Sequence, residues 1–444
     1  MTFSFNKSRP PYPYLSAEIE GSFAYRTVKD RMPVILTKVI DFLCRSKNEI
    51  VQSSHSEAAA LEDLKLIIGK LSKLRSEMQT NKTLSKFEID CPHLQDSEKW
   101  NTELIETKDS AAPCWFNSPW LLVECYMYRA IYYMFNDSLY LKGFDPFSHM
   151  KEEAFFVQKN IICQLASYTN GLCLKSNYSS SELHVHFMKL IEICLWGNRN
   201  DLSLSAGNTN TEVKSNSFFD DIKQLNSHIL VNNINEVWLH MEHIQNNPYD
   251  NKELSIIMDN SGLEMVADLC LAVYCISHKL FDRVNFYVKK IPWFVSDTTC
   301  NDLKWALQYM ENDCTELQHF AEKCRAYLHS NQFQVLEESY FTLPLPYHVM
   351  QEEDPKLYKK LCRSQLIIFK GDLNYRKLGG ELCWPSSTPF KTFLQGFSPA
   401  PLLALRTIKA EIICDLPSSK IKELDLLDKD WMTNGNYGLI QFAK

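Results

Sequence analysis

The spacing of hydrophobic positions changes once along the chain. From Ser22 to about Cys44, apolar residues recur at helical spacing: Phe23, Val34, Ile35, Leu36, Val39, Ile40 and Phe42. Glu57 to Met78 repeats the pattern through Leu61, Leu64, Ile67, Ile68, Leu71 and Leu74, and Leu121 begins a long apolar helix reaching about Phe135. The reading stays almost wholly helical to roughly residue 190. After Leu195 a run of Ser, Asn and Thr through Asn216 reads as loop. Beyond it, short apolar runs predict strands at Ile229–Val231, Leu254–Met258, Arg283–Val288, Gln365–Phe369, Leu402–Leu405 and Tyr437–Phe442. Helices are expected between them, from Gly262 to about His278, at Leu303–Met310 and at Leu317–Leu328.

Continuously apolar strands alternating with helices argue for a parallel sheet covered on both faces. The expected fold class is therefore α/β: a mainly helical N-terminal domain over residues 1–190, then a Rossmann-like α/β/α domain over 191–444 with a mostly parallel sheet. Composition narrows the functional classes. The chain has 444 residues, 45% of them hydrophobic, which is ample for a large core. A net charge of −7 with interspersed signs leaves no basic patch for nucleic acid or an anionic membrane surface. No apolar run has the length of a membrane span, and the first residues lack a signal-peptide core. The 15 cysteines are scattered without a Cys-x-x-Cys, as expected of reduced thiols in the cytosol or nucleus.

The chemistry gathers just past the predicted strands. Asp259 and Asn260 follow Leu254–Met258 directly, with Glu264 one helical turn on; hard oxygen donors of this kind suit Mg2+ or Mn2+. The plainer reading of Asp259 is an N-cap for the next helix. Asp297 follows the third strand; Lys370-Gly-Asp-Leu-Asn-Tyr-Arg376-Lys and Arg406-Thr-Ile-Lys409 follow the next two. In open α/β sheets the carboxyl edge of the strands is where ligands bind. Carboxylates and an amide would hold a cation there, while Lys370, Arg376 or Lys409 would clamp a phosphate and Gly371 would admit backbone close to it. Glu124 and Arg129, charges in an apolar helix, must be paired or face a polar cleft. His184-x-His186 and His240-x-x-His243 have no carboxylate or cysteine array to complete a zinc site, and read as structural. P-loop, dinucleotide and nucleophile-elbow glycine patterns are all missing.

Asp259-Asn260, Asp297 in Pro-Trp-Phe-Val-Ser-Asp, Lys370-Gly-Asp-Leu-Asn-Tyr-Arg-Lys-Leu378 and Arg406-Thr-Ile-Lys409 closely resemble the metal-dependent damage-control phosphatases, in their subgroup with a C-terminal Arg-Thr-x-Lys. The resemblance extends to Trp120-Leu-Leu-Val-Glu-Cys-Tyr-Met-Tyr-Arg129 and Leu195-Trp-Gly-Asn-Arg-Asn-Asp-Leu-Ser203. It implies a divalent ion (Mn2+, Mg2+, Co2+ or Ni2+) on Asp259, Asn260 and Asp297, which would be the catalytic centre. It also implies hydrolysis of reactive sugar phosphates such as fructose 1-phosphate and fructose 6-phosphate. Substrate contacts would come from Asp259, Asn260, Glu264, Asp297, Asp372, Leu373, Asn374, Tyr375, Arg376 and Lys409, joined by Lys370 from the strand-end reading. Metal-bound water and an aspartate both remain open as nucleophile. Within the same family, methylation of protein glutamate carboxyls with S-adenosylmethionine is an alternative, which would add a protein acceptor as partner. A non-catalytic binding module is the third.

Overall fold

Consecutive residues of the central strands leave the backbone on opposite sides, and both sides are apolar. Ile257, Tyr287, Ile367, Phe369, Leu402 and Ala404 enter one core; Leu254, Ile256, Val284, Phe286, Leu366, Ile368 and Leu403 enter the other. That is the signature of a sheet buried on both faces. The computed structural model describes residues 10–52, 54–88, 96–105, 111–175, 177–200, 218–247 and 249–444. Its sheet has seven strands: β1 (Ile229–Asn232), β2 (Glu253–Ile257), β3 (Arg283–Val288), β4 (Phe333–Glu337), β5 (Leu366–Lys370), β6 (Leu402–Thr407) and β7 (Gly438–Ala443). Their spatial order is β1-β7-β6-β5-β2-β3-β4, and every pairing is parallel except β6 with β7.

The main helices are α1 (Met32–Arg45), α2 (Glu57–Gln79), α3 (Trp120–Asn136), α4 (Lys159–Leu174), α5 (Ser180–Trp196), α6 (Ile234–Asn246), α7 (Leu263–Ser277), α8 (Cys300–Glu311), α9 (Thr315–His329) and α10 (Gly371–Leu378). α1, α2 and α3 share a core with one sheet face. α4, which precedes residue 190, and α5, which runs across it, share the other core with α7, so the sheet draws its cover from both sides of residue 190. Among the described residues no helix is long and apolar enough to cross a membrane.

Three features depart from the expected elements. β4 was not anticipated; it is an edge strand in which Phe333 is buried, the next three residues are half-buried and Glu337 is exposed, so it lacks the apolar run that marks the inner strands. β5 extends through Lys370, and α10 starts at Gly371 with no intervening loop. β6 likewise runs two residues past Leu405, so Arg406 and Thr407 are strand residues and only Ile408 and Lys409 of that motif lie beyond the edge. The Ser/Asn/Thr-rich stretch expected as loop, with Asp201, Leu202 and Ser203, falls largely outside the described residues.

α3 shows how a buried helix carries charge. Arg129 is fully buried and reaches Asp96 with two bonds, Nε at 3.1 Å and Nη2 at 2.6 Å, while its guanidinium lies over the Phe87 ring. One turn away, Glu124 turns to Arg376 instead. Arg129 is thus the structural brace, and replacing it leaves Asp96 and the aromatic cluster without their partner. Arg129→Ala is expected to destabilise the protein by about 3 kcal/mol, the low end for a broken buried pair because Asp96 still meets water. Urea denaturation monitored by tryptophan fluorescence measures this.

Candidate active site

The strand order reverses between β2 and β5: from β2 the chain proceeds to β3 and β4 on one side, and returns to β5 on the other. A crevice opens at such a switch point, beyond the carboxyl ends of the two strands. β2 delivers Asp259 and Asn260 there, and β5 delivers the start of α10. The two meet closely: Gly371 has φ +81°, and a Cβ on it would lie 1.8 Å from Asp259 Oδ2. Only glycine permits both the backbone angle and the approach.

The loop after β3 is tied to the loop after β2 by backbone bonds. Thr298 N–H donates to Asp259 O (2.7 Å), Ser261 N–H donates to Ser296 O (2.8 Å), and Asn260 and Asp297 form an isolated antiparallel bridge. Getting there requires Phe294 and Val295 at φ 44° and 68°. A left-handed β-branched residue is an outlier, with a cost of roughly 1–3 kcal/mol, and such strain collects at functional sites. Lys289 fixes the arrangement from beneath, donating to Met258 O (2.8 Å) and pairing with Asp297 Oδ2 (2.9 Å).

Asp259 does not cap the helix that follows it. The N-cap of α7 is Gly262, with no side-chain bond. Asp259 Oδ2 instead accepts from Asn260 Nδ2 (3.0 Å) and Asn198 Nδ2 (2.8 Å), and both amides also donate to Glu264 Oε2, at 2.9 and 2.6 Å. Asp259, Asn260 and Asp297 offer two carboxylates and an amide, all hard oxygen donors in one fold of chain, which fits a divalent ion of the Mg2+ or Mn2+ kind. Among the described residues no three His, Cys, Asp or Glu side chains form a metal-binding group. The third donor here is an amide.

A small cleft of about 40 Å³ opens over this constellation. From the α/β side it is lined by Asp259, Phe294, Asp297, Asp372, Leu373, Arg376 and Lys409; from the helical side by Phe23, Arg31, Trp120 and Glu124. Lys370, the N-cap of α10, makes no side-chain cap bond, and the first turn of that helix carries Asp372 and Leu373 into the lining, so the N-terminus of α10 lies at the crevice end of the sheet.

The other residues expected to touch substrate are engaged elsewhere. Lys370, expected as a phosphate clamp, is buried between Asp268 (2.7 Å) and Glu264 (3.0 Å) and does not line the cleft. Burial alone would lower its pKa; those two carboxylates outweigh burial and hold it above the ordinary lysine value. Burial in turn pushes Asp268 up to about 6, against the pull of Lys370. Glu264 thereby serves as a brace beneath Asp259. Asn374 bonds Lys370 O (2.7 Å) and the Tyr347 hydroxyl (2.5 Å), and Tyr375 bonds Gln441 (2.8 Å); neither side chain lines the cleft.

The Arg-Thr-x-Lys segment divides its labour. Arg406 spans Asp372 (2.8 Å), Ala410 O (2.9 Å) and Ile412 O, and lies over the Tyr375 ring, so it braces the turn that carries Lys409. Thr407 Oγ1 donates to Asn198 Oδ1 (2.5 Å), and Lys409 Nζ donates to the same oxygen (2.8 Å) and to Asn198 O. Asn198 was not among the expected site residues. Its signal lay in Trp196-Gly-Asn, at the point where the helical pattern breaks, but its partners stand 61 to 211 residues away and no local pattern names them. The histidine pairs sit outside the site: His184 stacks on Trp238, His186 meets Tyr168, and His240 meets Gln365 O.

Comparison with known proteins points the same way. Residues 27–424 match the family described as Damage-control phosphatase ARMT1-like domain. The Mus musculus protein named Damage-control phosphatase ARMT1 is 39% identical over 436 residues, covering 97% of this chain and 98% of its own length. Its Danio rerio namesake is 38% identical over 449 residues (97% and 96%), and that of Homo sapiens 38% over 439 residues (96% and 98%).

Asn198 binds no reacting atom in this geometry; it positions Asp259 and Lys409 together. Removing such a support costs roughly 10–100-fold in metal affinity or activity. Asn198→Ala is expected to weaken Mn2+ binding within that range by calorimetry, while Asn198→Gln recovers part of it. Unchanged affinity in a folded Asn198→Ala protein contradicts the assignment.

Proposed function

The chain belongs to the ARMT1-like damage-control phosphatase family, which makes it a phosphatase, and we propose that it uses a divalent metal to hydrolyse reactive sugar phosphates such as fructose 1-phosphate and fructose 6-phosphate. The observation carrying this reading is one cleft in which oxygen donors at the end of β2 and β3 face cations and helix amides from β5 and β6. Opposite charges meeting at a switch point suit a metal and a phosphate together, and neither alone explains both sets.

Asp259, Asn260 and Asp297 would hold the ion, which when bound neutralises charge on the phosphoryl oxygens. The rest falls to the chain itself. Lys409 supplies a charge-assisted hydrogen bond to the phosphoryl group and the amides of α10 add fixed donors, while Arg376, paired with Glu124, faces the rest of the substrate. Because each cation is already anchored, by Asn198 or by Glu124 and Glu381, little reorganisation accompanies the change in charge. The deep setting of the carboxylates excludes bulk water and strengthens these interactions. Hydrolysis consumes one water and releases inorganic phosphate and the free sugar.

Phosphate release from fructose 1-phosphate with Mn2+, Mg2+, Co2+ or Ni2+ tests the reading, and exhaustive chelation is expected to abolish it. A parallel incubation with labelled S-adenosylmethionine and a protein acceptor measures the methyl-transfer alternative directly. Asp259→Asn is expected to lower kcat/KM by roughly a thousandfold, about 4 kcal/mol of transition-state stabilisation, because a negative charge leaves the ion site. Lys409→Ala should mainly raise KM, with metal affinity held by the three oxygen donors. Turnover of Asp259→Asn within a few-fold of the parent sinks the site; a Lys409→Ala protein that loses metal and keeps its KM reverses the assigned roles.

A further inference from the structure

The catalytic parts of the cleft account for its α/β wall and leave the helical wall unexplained. That wall is not merely apolar filler. Glu124, buried in the middle of α3, gives one carboxylate oxygen to Arg376 Nη1 at 2.7 Å and lines the cleft. Arg376 is held by Glu381 at Nε (2.5 Å) and lies 3.7 Å above the Trp120 ring, yet its Nη2 is buried with no partner among the described residues. Trp120 Nε1 is buried and unpartnered as well. All three side chains line the same cleft.

Leaving a buried donor unsatisfied costs about 1–3 kcal/mol, so clustered orphans mark where a ligand supplies the missing partners. The geometry restricts the ligand. A phosphate would satisfy Arg376 Nη2 and the indole, but it would be repelled by the Glu124 carboxylate beside them. A hydroxyl both donates and accepts, and two neighbouring hydroxyls match a carboxylate acceptor set beside a guanidinium donor. The rings of Phe23 and Phe294 provide apolar surface for a carbon skeleton between these groups and the phosphate end.

Resting on the phosphatase reading above, we infer that Glu124 and Trp120 of α3, with Arg376, determine specificity by reading hydroxyl groups on the non-phosphate part of the substrate. The helical part of the chain is then the selectivity half of the cleft, and the α/β part the reactive half. The anchoring through Glu381 serves this role. Its first oxygen accepts from Arg376 Nε and its second from Leu121 N–H, so the carboxylate is fixed to the start of α3 and holds the guanidinium in place. A site built to hydrogen-bond hydroxyls discriminates strongly against an analogue without them, because its own groups are then left unpaired.

The test compares fructose 1-phosphate with n-butyl phosphate, an ester lacking hydroxyls, on the unaltered protein and on Glu124→Gln and Trp120→Phe. Unaltered protein is expected to favour the sugar ester in kcat/KM by at least about a hundredfold. Glu124→Gln should shrink that ratio by about tenfold or more, chiefly through KM of the sugar ester, and Trp120→Phe by a smaller factor. Equal use of the two esters by unaltered protein overturns the inference without any variant, so a poorly folding Glu124→Gln protein does not shield it. A ratio unmoved by both variants overturns it too. If neither ester releases phosphate, the catalytic reading fails, and calorimetric binding of the two esters still decides the inference: equal affinities defeat it.

Discussion

The chain buries an unusual number of carboxylates at one sheet edge, and the rest of the site follows from the need to give each a donor. Removing a carboxylate from water costs several kcal/mol even after relaxation, and only well-placed partners offset it. Asp259 and Glu264 receive amides from Asn198 and Asn260; Asp297 receives Lys289; Glu264 and Asp268 share Lys370. These partners come from α5, β3, β5 and the loops between, so a network for local charge also fixes how distant elements meet. Lys370, which sequence suggests as a ligand-binding cation, is consumed by this task, and Arg406 is spent on Asp372. The cations left lining the cleft from the α/β side are Arg376 and Lys409.

The same logic explains why the helical part cannot be regarded as an appendage. Asn198 stands where α5 ends, yet it contacts residues of β2, α7 and the β6 turn. Glu124 sits on α3 and pairs with α10. Each crossing is a polar bond in a buried setting, where a missing partner is expensive. Folding of the sheet layer and closure of the cleft are therefore coupled through polar bonds as well as through packing.

How much of this was legible in sequence depends on range. The inner strands announced themselves as apolar runs, and Asp259, Asn260 and Asp297 followed from their position just past strand ends. β4 was hidden because an edge strand is only partly buried and loses the apolar run. Strand ends were misjudged by one or two residues where charged side chains, Lys370, Arg406 and Thr407 with them, continue the ladder instead of leaving it. That slip matters, because a residue inside the sheet edge braces and one beyond it reaches the cleft. Asn198 was least legible: a polar residue at a helix end looks the same whether its partner is solvent, a carboxylate 61 residues away or a lysine 211 residues away. Glu124 showed that it needed a partner or a cleft, but not that the partner was Arg376.

Strain and close approach complete the argument about what the site is built for. Val295 in a left-handed conformation and Gly371 pressed against Asp259 are poor choices for stability alone. An alanine or a relaxed turn would suffice if the loops only connected strands. Both features act on the same point: the first turns Asp297 back toward Asn260, and the second lets α10 begin directly beside Asp259. Strain of about 1–3 kcal/mol persists only where the surroundings over-determine it, and here the backbone bonds from Thr298 to Asp259 and from Ser261 to Ser296 do so. The backbone thus holds the oxygen donors beside the start of α10 at fixed separation before any ligand arrives, which is the condition under which electrostatic stabilisation is most effective.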